Sequence, residues 1–221
     1  MINYAENNLI RLAGTIVSER KFSHEVYGER FYSFDLEIPR LSENSDIIPV
    51  TVSERLLLDS KYEVGEKVVI DGQFRSYNNY ENEKNKLVLT VFVKEIRMQT
   101  EEDENVNPNE IILNGFICKK PIYRTTPFGR EIADILLAVN RAYNKSDYIP
   151  CIAWGRNARY CQNLTVGESV KIWGRIQSRQ YEKKFEDGTS EMRRAYEVSV
   201  SKMEVERAEE NKEENIEEQN A

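Results

Sequence analysis

Val64-Gly65-Glu66-Lys67-Val68-Val69-Ile70-Asp71-Gly72 returns 102 positions later as Val166-Gly167-Glu168-Ser169-Val170-Lys171-Ile172-Trp173-Gly174. In both stretches a Val-Gly-Glu turn feeds a strand with apolar residues at every second place, and a glycine follows two positions after the last of them. Outward from this pair the match continues. Gly14 falls on Gly115, Tyr27-Gly28 on Phe128-Gly129, Leu36 on Leu137, Ile38 on Val139, Arg40 on Arg141 and Pro49 on Pro150, each 101 apart. After one further hairpin the step is 107, with Val91 on Val198 and Val93 on Val200. A register kept over so many landmarks, with length changes confined to loops, means one fold used twice.

Each copy reads as five short strands. In the second they are Leu113–Cys118, Ile135–Asn140, Tyr148–Trp154, Val170–Ile176 and Tyr196–Val200, and the only helical stretch, Asn157–Asn163, lies between the third and fourth. Arg55–Lys61 is its counterpart in the first copy. Five antiparallel strands with one helix between strands three and four predict an all-β chain of two tandem OB-fold barrels, and Gly72 and Gly174 fit the bends that close so small a barrel. The expected division is a first barrel over 1–99, an acidic linker over 100–109, a second barrel over 110–204 and an acidic tail over 205–221. The tail has almost nothing to bury and reads as disordered, with a charged terminal helix as the competing reading.

Charge separates the copies. Residues 1–109 carry 13 Lys+Arg against 20 Asp+Glu, residues 110–204 carry 16 against 11, and residues 205–221 carry 2 against 7. A basic domain between acidic neighbours points to an anionic ligand for that domain. No apolar run approaches the roughly 18 residues of a membrane span, and no signal peptide follows Met1, so a cytoplasmic protein is expected. Cys118, Cys151 and Cys161 lack CxxC spacing and a nearby histidine, which predicts reduced thiols and no structural metal. The chain also lacks a phosphate-cradling glycine loop, an HExxH and a serine elbow. Neither catalysis nor a cofactor is expected.

From Asn109 to Met203 the chain resembles the bacterial single-stranded DNA-binding proteins. The likeness rests on Ile111-Ile-Leu-Asn-Gly-Phe-Ile, Pro121-Ile-Tyr-Arg-Thr-Thr-Pro-Phe-Gly, Leu137-Ala-Val-Asn-Arg, Cys151-Ile-Ala-Trp-Gly-Arg and Gly174-Arg-Ile-Gln-Ser-Arg-Gln-Tyr, in that order. It implies base stacking on Tyr143, Tyr148, Trp154 and Tyr181. Physical chemistry supports the same set, because flat aromatics hold any base and Lys/Arg hold phosphate. Arg124, Arg141, Lys145, Arg156, Arg175, Arg179, Lys183 and Lys184 are the phosphate candidates, and Phe128 and Phe185 are further stacking candidates. Tyr148, Ile152 and Trp154 share one strand face, and the resemblance turns that face outward. Trp173 reads as surface or interface, and His24 as a satisfied surface side chain.

Carried to the first copy, the four aromatic places become Ser42, Ile47, Ser53 and Asn79, with Tyr77 and Tyr80 flanking the last. That copy is expected to have kept the barrel and lost the ligand, serving oligomerisation or protein contacts. The predicted activity is binding of single-stranded DNA with little sequence preference, in replication, repair or recombination, near the bacterial nucleoid. The alternatives are a primosome or replication-restart accessory protein, or an OB-fold interaction module without DNA. By analogy with the resembling family, a homodimer would present four barrels. Recruitment of replication or repair proteins is in doubt, since the tail ends Glu-Gln-Asn-Ala instead of the family's Pro-Phe tip.

Overall fold

The computed structural model describes residues 6–40, 42, 44–58, 62–79, 86–185 and 188–206. The first half contains β1 (Asn8–Ile16), β2 (Lys21–Val26), β3 (Glu29–Pro39), β4 (Ser45–Ser53), β5 (Lys67–Asn79) and β6 (Lys86–Met98). The second contains β7 (Asn109–Ile117), β8 (Ile122–Thr125), β9 (Glu131–Arg141), β10 (Lys145–Trp154), α1 (Gly155–Cys161), β11 (Ser169–Lys184) and β12 (Ser190–Glu206). Five strands close each barrel. β1 pairs with both β3 and β5, β3 with β4, β4 with β6 in parallel, and β6 with β5. β7, β9, β10, β12 and β11 repeat this circuit. Inside, the same places are filled twice: Leu12 and Leu113, Leu36 and Leu137, Ile48 and Ile149, Ile70 and Ile172, Phe74 and Ile176, Val91 and Val198, all fully buried.

Each barrel also carries a hairpin strand beyond the five, β2 against β3 and β8 against β9. These strands are mostly exposed, so neither face imposes the alternation by which strands are read. The helix of the second barrel starts two residues earlier than its sequence pattern suggests. Gly155, at φ 52°, turns the chain straight out of β10, and Ala158 and Cys161 then bury one face. In the first barrel the corresponding segment is a 3-10 turn, Glu54–Leu57, capped by Ser53 Oγ accepting from the Arg55 N–H at 3.2 Å; residues 59–61 of the expected helix lie outside the described residues, as do Tyr80 and 207–221 of the tail. Between the barrels, Glu101–Asn105 forms another 3-10 turn, fixed by a two-pronged pair between Arg97 and Asp103, both distances 2.6 Å.

The barrels are joined edge to edge. β1 and β7 pair antiparallel from Asn8↔Leu113 to Leu12↔Asn109, with Ile10 opposite Ile111 at the centre. Each pair maps onto its mirror under the 101-residue step, so the seam is self-complementary, like the interface of a two-fold dimer built within one chain. The rim repeats the symmetry: Ala13 N–H donates to Pro108 O at 2.8 Å and Asn114 N–H to Asn7 O at 2.7 Å. Asn8 grips the Phe74 backbone from both sides (2.7 and 2.9 Å), and Asn109 grips Ile176 at the same two distances. No helix among the described residues is long and apolar enough to cross a membrane.

Candidate nucleic-acid interface

The outer face of the second barrel is built by β10 and the long β11–β12 hairpin. On β10, Ile149, Cys151 and Ala153 point into the barrel, which turns Tyr148 and Trp154 out at 44% and 36% exposure. Trp154 is steadied by its indole Nε1, which donates to Ser199 Oγ on neighbouring β12 at 3.1 Å. Tyr181, 37% exposed, stands opposite Arg193 in the β11–β12 ladder, with the Arg179 guanidinium 5.9 Å from its ring. Tyr143 lies in the β9–β10 turn, 94% exposed at φ 60°. Phe128 is 92% exposed at the tip of the β8–β9 hairpin. Phe185, near the end of the β11–β12 hairpin, lies 5.4 Å from Lys183 Nζ and 5.7 Å from the Arg193 guanidinium. Trp173 is half-buried beneath Lys171 and Lys202.

The cations divide into two groups. Lys145, Arg156 and Lys184 are exposed and enter none of the ion pairs among the described residues, and Arg179 is only loosely opposed by Glu197 at 3.9 Å. Arg124, by contrast, is clamped on Asp134 at 2.8 and 3.3 Å. Arg141 and Arg175 turn to the seam. Arg175 Nη1 donates to buried Asp46 of the first barrel at 3.0 Å, and Arg141 Nε lies 3.4 Å from buried Asp147. Their positive charge is committed to carboxylates inside the protein, which sets these two apart from the phosphate candidates free to meet a ligand.

Asp46 and Asp147 occupy the same place in the two barrels, yet their surroundings differ. Each accepts a backbone N–H from the opposite barrel at 2.7 Å, Ser178 to Asp46 and Ser76 to Asp147. The hydroxyls of the same serines accept from Ile47 N–H (3.2 Å) and Tyr148 N–H (2.7 Å). Burial pushes both carboxyls up. At Asp46 the hydrogen bonds from Arg40 and Ser178 and the charges of Arg40 and Arg175 outweigh it, leaving Asp46 below the ordinary carboxylate value. At Asp147 burial prevails over Ser76, Arg141 and Arg75, and the carboxyl stays above it. Sequence reading missed this seam, although one signal was available: Asp46 and Asp147 are themselves 101 apart. Burial pushes the Cys161 thiol up to about 11 and raises that of Cys151 further, so neither supplies a ready thiolate.

Two closed five-stranded barrels joined in one chain define a tandem OB-fold protein. In line with this, the wild-type single-stranded DNA binding protein of Thermus aquaticus superposes with a TM-score of 0.71 at 18% identity, over 91% of this chain and 93% of that one. Residues 108–206 match the single-strand binding protein family. Single-stranded DNA-binding protein 1 of Staphylococcus aureus is 40% identical over 81 residues, which is 34% of this chain and 48% of that protein. Single-stranded DNA-binding protein B of Bacillus subtilis is 37% identical over 84 residues, covering 34% of this chain and 72% of that protein. The chain spans about half the length of the first curated relatives it matches. By these matches it belongs to the single-strand binding protein family.

Proposed function

We propose that the outer face of the second barrel binds single-stranded DNA with little sequence preference and covers it during replication, repair or recombination. The observation that carries this reading is the placement of Tyr143, Tyr148, Trp154 and Tyr181, all outward on one barrel at 36% exposure or more. Core packing accounts for none of them. Successive bases stack on these rings, while Lys145, Arg156, Arg179, Lys183 and Lys184 meet phosphates; each stacked base contributes about 1–3 kcal/mol. Arg141 and Arg175 serve by holding the barrels in register. Two barrels per chain reach four in a homodimer, the assembly that would give the strand a continuous path.

Both tryptophans lie in the second barrel, so titration with oligo-dT is expected to quench intrinsic fluorescence. Absence of quenching together with absence of a gel shift at low salt would overturn the reading.

A further inference from the structure

Where the second barrel carries Trp154, the first barrel's outer face carries an aromatic group one strand away. Ser53 stands at the place of Trp154 and Phe92 at the place of Ser199, so the aromatic ring and the serine have changed strands. Phe31, opposite Ser53 in the β3–β4 ladder, holds its ring 5.7 Å from that of Phe92. The exposed His24 ring lies flat on Phe31, centroids 4.8 Å apart and planes within 7°. At the other end the Arg75 guanidinium covers Phe92 at 4.2 Å. These four flat groups form a column across the sheet.

A second exchange accompanies the first. Gln73 and Arg75 occupy the places of Arg175 and Gln177. Asp46 is thereby left with two guanidinium partners, Arg40 and Arg175, whereas Arg75 and Arg141 gather near Asp147. Arg75 Nε, Arg141 Nε and Asp147 Oδ2 are buried and make no hydrogen bond. Each seam aspartate thus faces two guanidinium groups, and Arg75 differs from the others in lying on the Phe92 ring. Toward the column's other end Glu25 pairs with Arg30 at 3.6 Å and Glu29 with Arg55 at 3.4 Å, while Glu54 accepts from the Arg30 N–H at 3.2 Å.

An open groove of about 640 Å³ runs between the barrels, beside the column. Its walls include Tyr181 and the Arg193–Glu191 pair (2.7 Å) of the second barrel and Ser23, Ser33, Thr51 and Thr90 of the first. Ser23 adjoins His24, and Thr51 is the ladder partner of Phe92. We propose that the His24–Phe31–Phe92–Arg75 column is a second, smaller contact for single-stranded DNA, which a strand leaving Tyr181 reaches along this groove. A base lies on the exposed His24 ring, which Phe31, backed by Phe92 and Arg75, holds in place from beneath. This rests on the proposed function of the second barrel.

The test uses the full chain and two oligomers, dT8 and dT30, with Trp fluorescence reporting on the second barrel. His24→Ala, at an exposed position, and Phe92→Ser, which installs the residue of the second barrel, are expected to leave the dT8 affinity unchanged and weaken dT30 binding about ten-fold. Should Phe92→Ser also lose dT8 through misfolding, His24→Ala decides. Wild-type affinity of His24→Ala for both oligomers would overturn the proposal. Failure of the unmutated chain to bind either oligomer would overturn the second-barrel reading instead.

Discussion

Tyr143 adopts a left-handed backbone conformation that a β-hairpin turn usually gives to Gly or Asn, and its ring is almost wholly in solvent. Folding gains little from such a residue. Tyr143→Gly is expected to leave the melting temperature within a few degrees, since relief of αL strain and added unfolded-state entropy nearly cancel, while weakening oligo-dT binding. Trp154→Ala and Tyr181→Ala are each expected to weaken binding by about 1–3 kcal/mol in fluorescence anisotropy with a labelled oligomer, and Trp154→Phe, which keeps a ring but drops the Ser199 bond, by less. The two groups of cations separate by salt. Lys184→Gln should reduce the slope of log affinity against log salt by about 0.7, whereas Arg175→Gln should leave it near the wild-type value because its charge is spent on Asp46. Arg175 could not be told from Lys184 by sequence. Both are basic residues of one strand, and the aspartate that distinguishes them lies 129 positions away on the other barrel.

At the scale of elements, the β11–β12 ladder shifts register between Trp173 and Gly174, and a Cβ on Gly174 would collide with the Ser199 carbonyl oxygen. Gly174→Ala is expected to destabilise the second barrel by about 2–3 kcal/mol in urea unfolding, followed through Trp fluorescence. Gly72 plays the same part against Phe92 in the first barrel, at an equivalent register shift. Such features were legible because a strand with one face in the core tends to alternate: Ile149, Cys151 and Ala153 against Tyr148 and Trp154 mark β10, although Ile152, on the face of the two rings, is also buried. β2 and β8 were not legible, since solvent on both sides imposes no pattern. The early start of α1 was hidden in Gly155, whose conformation only the fold reveals. The aromatic column of the first barrel is invisible to a position-by-position comparison of the two copies. The ring had moved from β4 to β6, so position 53 looked vacant.

For the molecule as a whole, the two seam aspartates predict an asymmetric response to pH. Asp46 sits below its ordinary value, so its contribution is present at neutral pH and is lost as pH falls below about 4 and through its folded value. Asp147 sits above, and its effect has the opposite sign: folding favours the protonated form, an advantage lost as pH rises through the raised value. At neutral pH, Asp46→Asn is therefore expected to cost about 2–3 kcal/mol, Asp147→Asn distinctly less, and the acid-side loss of stability should be shallower in Asp46→Asn, all from urea midpoints across pH. The same seam bears on synthesis. β7 is the first strand of the second barrel to emerge after β6, and the first barrel leaves an edge of β1 open for it, since β3 pairs with β1 only at Thr15 and Ile16. A strand that docks on a finished sheet pays less ordering entropy than one that must find another loose strand. In a growing chain, the first barrel is thus expected to be the template on which the sheet of the second begins.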